Sequence, residues 1–123
     1  MDSVKRILIV DDDKGILDSL TTLFELVGYT VDVLDNGLDL PVKLAARPDL
    51  ILLDVMLQDT DGWFLCKFLK DSEKFKHIPV VMMSAVPDTG DLAEYGCKAE
   101  AFIQKPYSVA TLVKTIDRLL KQG

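Results

Sequence analysis

Cysteine occurs twice in this chain, tryptophan and histidine once each, and aromatic residues make up only 7% of it. Cys66 and Cys97 are too far apart for a CxxC redox or zinc pair and build no disulfide framework, so both thiols are expected to be reduced. His77 lacks ligand spacing and reads as a surface or turn residue, not a zinc ligand. Positive charge is also short. Lys and Arg total 14 against 20 Asp and Glu, and the formal net charge of -6 argues against a general nucleic-acid or anionic-membrane surface. No apolar run reaches membrane-spanning length. Residues 1–6 lead into only four apolar residues before Asp11, Asp12 and Asp13, too few for a signal peptide. Repeats, low-complexity tracts and interdomain linkers are missing as well. These absences point to a cytoplasmic protein, a single domain over residues 1–123, whose partners are proteins or small molecules. Its 49% hydrophobic content suffices for one core without disulfides or a structural metal.

What is present is an alternation of short apolar runs and amphipathic stretches. Ile7 to Val10 reads as a buried strand, followed by Ile16, Leu17, Leu20, Leu23, Phe24 and Val27 at helical spacing and by Gly28 as a stop. Thr30 to Leu34 alternates as a strand, and Asn36-Gly37 opens a turn. Pro41 lacks an amide hydrogen and disfavours helical geometry at Leu40, so the helix ending near Ala46 should start only at Pro41 and be short. Asp49 to Leu53 has almost no polar face, as suits a strand covered by helices on both sides. Asp61-Gly62 makes a turn before Trp63, Phe64, Phe68 and Leu69, whose spacing predicts a helix burying that face. Val80 to Met83 and Phe102 to Gln104 supply the remaining strands. Gly90 and Gly96 weaken the helix over 88–98. Ser108 caps a last helix carrying Val109, Leu112, Val113, Ile116, Leu119 and Leu120 inward. The sum is five βα units of an α/β fold.

Polar residues sit where the apolar runs stop: Asp11-Asp12-Asp13 after ILIV, Asp54 after LILL, Ser84 after PVVMM, and Lys105-Pro106 after AFIQ. In an open parallel sheet the carboxyl ends of the strands line the ligand crevice, so these groups can converge. If the first and third strands are neighbours, the carboxylates of Asp11, Asp12 and Asp54 repel one another and resist full ionisation unless a cation binds. Mg²⁺, which prefers oxygen ligands and often takes only one or two carboxylates beside phosphate oxygens, is the natural candidate. The Lys105 ammonium and Ser84 hydroxyl suit the oxygens of a transferring phosphoryl group. Asp54 is then the nucleophile, accepting phosphate as an acyl phosphate. Asp13 reads as a helix cap, Asp59 and Asp61 as turn residues, and Trp63 as packing.

With ILIVDDD, LILLDVML followed by DG, VVMMSA and FIQKPY in order and at closely similar intervals, the chain resembles the receiver domain of two-component response regulators over nearly its whole length. The resemblance implies a flavodoxin-like, doubly wound (βα)5 fold whose five-stranded parallel sheet has the order 2-1-3-4-5. It makes Asp54 the phosphoacceptor, Asp11 and Asp12 the acidic metal pair, and Met56 the donor of a backbone carbonyl to Mg²⁺, for which Mn²⁺ can substitute. Ser84 and Lys105 take the hydroxyl and lysine positions, and Ser84 with Phe102 forms the switch. Lys105-Pro106 falls where the peptide bond is typically cis.

The implied partners are a sensor histidine kinase or phosphotransfer protein and a downstream protein, with no direct binding to nucleic acid or membrane. The implied state is a monomer or a phosphorylation-dependent dimer. The receiver catalyses its own phosphotransfer and is not otherwise an enzyme. Met56 and Val86 fall at positions that flank the attacking water; neither can act as a base, which implies slow dephosphorylation. Two residues depart from the family pattern: Gln58 where proline is usual, and Lys98 where glycine is common. A haloacid-dehalogenase-type hydrolase fits less well, because Met56 stands where its second acid would be. A flavodoxin-like flavin carrier fits less well too, because Asp11 to Asp13 would repel a flavin phosphate.

Overall fold

In the computed structural model, residues 4–85 and 98–121 are described. Five strands, β1 (Arg6–Val10), β2 (Thr30–Leu34), β3 (Leu50–Asp54), β4 (Val80–Ser84) and β5 (Ala101–Gln104), form one sheet in the order β2-β1-β3-β4-β5. Every neighbouring pair is parallel. This is the doubly wound flavodoxin-like order expected above.

Parallel neighbours need crossovers, and from β1 to β4 helices supply them: α1 (Lys14–Val27), α2 (Leu40–Lys43) running into a 3-10 turn (Leu44–Ala46), and α3 (Gly62–Asp71); α4 (Val109–Lys121) follows β5. The helix expected over 88–98 lies outside the described residues, apart from Lys98.

Local chemistry sets the ends of these elements. The Asp13 carboxylate accepts the Ile16 amide at 3.2 Å and caps α1, while Gly28 ends it in the left-handed region at φ 112°. Asp61 caps α3 through the Trp63 amide at 2.8 Å, and the Ser108 hydroxyl accepts the Thr111 amide at 3.3 Å ahead of α4. Pro41 lies in the first turn of α2, where its missing N–H removes nothing, and the helix lasts only four residues.

Alternate residues of each strand feed separate cores. Leu8, Val10, Ile51, Leu53, Val80 and Met82 pack with Leu40, Leu44, Leu65, Cys66 and Leu69. Ile7, Ile9, Leu50, Leu52, Val81 and Met83 pack on the other side with Leu17, Leu20, Phe24, Leu112, Ile116 and Leu120. Each such buried aliphatic side chain contributes about 1.5–3 kcal/mol, so the two-sided burial of β1, β3 and β4 fixes the centre of the sheet.

Three expectations need correction. On α3 the buried face is Gly62, Leu65, Cys66 and Leu69, whereas Phe64 and Phe68 are 65% and 39% exposed. The apolar residues of this helix outnumber its inward positions, and the i, i+3, i+4, i+7 stripe starting at Gly62 is the one that meets the sheet. Val27 and Val109, at the ends of their helices, are also exposed. Finally, Cys66 is disulfide-bonded rather than a reduced thiol. Separation along a sequence does not limit approach in a fold, so spacing alone could not have excluded the bond.

Candidate functional site

Register brings the polar strand ends abreast. Val10 pairs with Leu53, so Asp11 follows on directly beside Asp54; Asp54 pairs with Met83, and Ser84 with Gln104. Backbone hydrogen bonds continue the ladders past the strand ends and hold these residues in place. The Asp11 amide donates to the Leu34 carbonyl at 3.1 Å, the Val55 amide to the Met83 carbonyl at 2.8 Å, and the Lys105 amide to the Ser84 carbonyl at 2.7 Å. The Lys105–Pro106 bond is cis. Gly62 lets the start of α3 press on β3: a Cβ there would lie 2.2 Å from the Asp54 carbonyl oxygen and 2.7 Å from the Val55 Cα.

Asp11, Asp54 and Ser84 are the buried polar residues among those described. Each of Asp11, Asp12 and Asp54 offers an oxygen within 4.8 Å of the others. The Lys105 ammonium lies 3.0 Å from Asp11 Oδ2 and 3.5 Å from Asp54 Oδ2. Asp11 Oδ1 accepts the Asp13 amide at 2.9 Å, and Asp54 Oδ1 the Met56 amide at 3.3 Å. Burial, then the charge of Asp11, push the Asp54 carboxyl above its ordinary value, against the pull of Lys105 and the Met56 amide. Burial alone would lower Lys105, but its hydrogen bond to Asp11 and the charges of Asp11 and Asp54 outweigh that and hold its ammonium above its ordinary value.

Three carboxylates against one ammonium leave an excess of negative charge in a partly buried space. Hard oxygen donors at this mutual distance fit a hard divalent cation. Asp54 is buried at 6% exposure, beside the Lys105 ammonium and ahead of the loop that leads to α3.

The other candidates are placed around this cluster. Ser84 is buried at the end of β4. Phe102, on β5, stacks its ring on Trp63 with centroids 6.2 Å apart and planes 7° from parallel. Met56 follows β3 with its side chain exposed and pairs with Asp61 in an isolated antiparallel bridge. Val86 lies outside the described residues. Two residues escaped sequence reasoning. The Asp61-Gly62 turn signal was visible, but not the close approach of Gly62 to Asp54. Asp59, read as a turn residue, binds amides of a distant loop, and no local pattern marks it.

Fold and site together define an open parallel α/β domain with a carboxylate cluster at the carboxyl edge of its sheet, the class that includes phosphoacceptor modules. A family model, the response regulator receiver domain, matches residues 7–117. The polar-differentiation response regulator DivK of Brucella anthropi is 37% identical over 120 residues, spanning 94% of this chain and 96% of that protein. RpaA of Synechocystis, a DNA-binding dual master transcriptional regulator, is 35% identical over 121 residues, and the match spans 95% of this chain but 49% of RpaA. Among solved structures, the signal receiver domain of a signal transduction histidine kinase from Syntrophus aciditrophicus superposes with a TM-score of 0.86 at 33% identity, covering 97% of this chain and 92% of that one. The chain belongs to the response regulator receiver domain family.

Proposed function

We propose that this receiver accepts a phosphoryl group on Asp54 from the phosphohistidine of a sensor kinase or phosphotransfer protein, and that the modified form binds a downstream protein differently. The observation that carries the reading is the cluster itself: Asp54 with Asp11, Asp12 and Lys105 at one strand edge, in a family of phosphorylation-dependent signalling domains.

Asp11, Asp12, Asp54 and the Met56 carbonyl would hold Mg²⁺, or Mn²⁺ in its place. The bound ion would neutralise charge on the phosphoryl oxygens. An Asp54 oxygen attacks phosphorus, the bond from phosphorus to the donor imidazole nitrogen breaks, and that nitrogen takes the electron pair. Lys105 offers its ammonium to the phosphoryl oxygens and stabilises the charge in transit. Ser84 donates its hydroxyl to the acyl phosphate, and the space it leaves accommodates a turn of Phe102. That coupling biases a two-state element and alters the face formed by β5 and α4. The chain acts as a self-modifying signal carrier in the cytoplasm rather than as an enzyme with a separate substrate. Met56 and Val86 supply no base beside the phosphate, so the acyl phosphate is long-lived.

The test is incubation with Mg²⁺ and a small phosphodonor, followed by intact mass and peptide mapping of the wild type and Asp54→Asn. A labile phosphate on Asp54 of the wild type, and none on the variant, is the expected result. Its absence under conditions that phosphorylate a control receiver would reject the reading.

A further inference from the structure

The loop joining Asp54 to α3 carries Met56, yet Gln58 stands where family members usually have proline, so no ring fixes the backbone there. Other contacts fasten the loop. At its base Met56 bridges to Asp61, and the Gly62 amide donates to the Val55 carbonyl at 2.8 Å. At its tip, Asp59 reaches across to the turn after β2: Oδ1 accepts the Gly37 amide at 3.0 Å and Oδ2 the Leu38 amide at 3.1 Å. Paired N–H donors on the two oxygens of a carboxylate form a charge-assisted fork. The Asp59 carboxyl is accordingly held below its ordinary value, foremost by the Gly37 amide.

The turn that Asp59 grips is pressed close to the loop. A Cβ on Gly37 would lie 2.2 Å from Thr60 Cγ2, 2.7 Å from Leu65 Cδ1 and 3.1 Å from Leu57 Cδ1. The same turn leaves β2 just after Leu34, whose carbonyl accepts the Asp11 amide. The clasp therefore ties the loop bearing Met56 to the strand end that also locates Asp11.

We propose that Asp59 is a positioning residue for the cation site: by clasping the loop tip to the amides of Gly37 and Leu38 it keeps the Met56 backbone in register with Asp11 and Asp54, in place of the missing proline. The proposal rests on the metal-site reading above. Because Met56 lies three residues from Asp59 in a loop closed at its base, release of the tip is felt at Met56, while the strands remain as they are.

The test compares wild type, Asp59→Ala, Asp59→Asn and Gly37→Ala by calorimetric Mg²⁺ titration and by amide hydrogen exchange, with Tyr29→Phe as a control at the opposite end of the molecule. Asp59→Ala is expected to weaken Mg²⁺ binding by about tenfold, the low end of outer-shell effects because water competes at this exposed carboxylate. Exchange should quicken at Gly37, Leu38 and Met56. Asp59→Asn keeps an oxygen acceptor and should recover at least half of the lost affinity on a logarithmic scale; Gly37→Ala should weaken binding by pushing the tip away. Wild-type affinity in Asp59→Ala with quickened exchange at Gly37 and Leu38 would overturn the proposal. So would equal losses in Asp59→Asn and Asp59→Ala, which would trace the effect to net charge, or an equal loss in Tyr29→Phe. A wild type that binds no Mg²⁺ would instead overturn the metal-site reading, and the clasp's role with it.

Discussion

The two edges of the sheet handle charge in opposite ways. At the amino edge, the carboxylates Asp32, Asp49, Glu100 and Asp117 each meet a donor, two of them a cation. The Lys70 ammonium lies 2.7 Å from Glu100 Oε1 and donates to the Ile78 carbonyl at 2.8 Å, while Glu100 Oε1 also accepts the Val80 amide at 2.7 Å. Arg6 meets Asp32 at 2.8 Å, its amide donates to Asp49 Oδ2 at 2.8 Å, and Tyr29 donates to Asp117. At the carboxyl edge, one cation among the described residues, Lys105, serves both Asp11 and Asp54, and Asp12 adds a third carboxylate beside them. Matched charges fasten α3, β4 and the entry to β5; mismatched ones keep a standing attraction for something brought from outside. Burial of polar groups is costly in both places, but only the carboxyl edge leaves part of that cost uncompensated within the chain.

The contrast can be broken most forcefully at Asp11. Asp11→Asn is expected to weaken Mg²⁺ binding by at least ~100-fold, beyond typical outer-shell effects because a direct ligand charge is lost, while the Mg²⁺-free protein stays folded. Calorimetric titration beside a thermal melt checks this, and unchanged affinity would erase the distinction between the edges.

Lys70→Met should do the reverse. Removing the ammonium that serves the exposed Glu100 and the Ile78 carbonyl is expected to cost about 1–2 kcal/mol of stability, read from urea unfolding, with Mg²⁺ affinity and Asp54 phosphorylation of the folded protein unaltered.

The smallest effect sharpens the comparison through pH. A carboxyl held above its unfolded value, as at Asp54, binds its proton more readily in the folded chain. The stability it confers is full at pH below the unfolded value and is lost as pH rises through the folded one. Without Mg²⁺, Asp54→Asn should therefore melt a few degrees higher than wild type at neutral pH. The gap should close on acidification through the carboxylate range, and again when Mg²⁺ is added. A pH series of melting curves with and without the ion reads it out; a variant less stable than wild type at neutral pH would contradict the electrostatic account.

Much of this architecture was legible in the residues. Apolar runs at β1, β3 and β4 end on Asp11, Asp54 and Ser84 because burial forbids charge until the sheet stops, so strand ends and chemistry marked one another. Asp13, Gly28, Asp61 and Ser108 announced helix ends through local hydrogen-bonding chemistry. What escaped depends on contacts between distant segments. The phase of α3 was misread because Phe64 and Phe68 are apolar yet exposed, and only the seat of Gly62 against Asp54 and Val55 sets which stripe faces inward. The grip of Asp59 on Gly37 and Leu38 joins loops with no shared periodicity. The bond at Cys66 was hidden for the same reason.

The stacking of Trp63 on Phe102 has a practical consequence. This chain contains a single tryptophan, and its indole rests against the aromatic side chain of β5. The protein thus carries its own fluorophore against Phe102, so if Phe102 turns as proposed, quenching or spectral shift of that lone emitter would report it in real time without any attached dye.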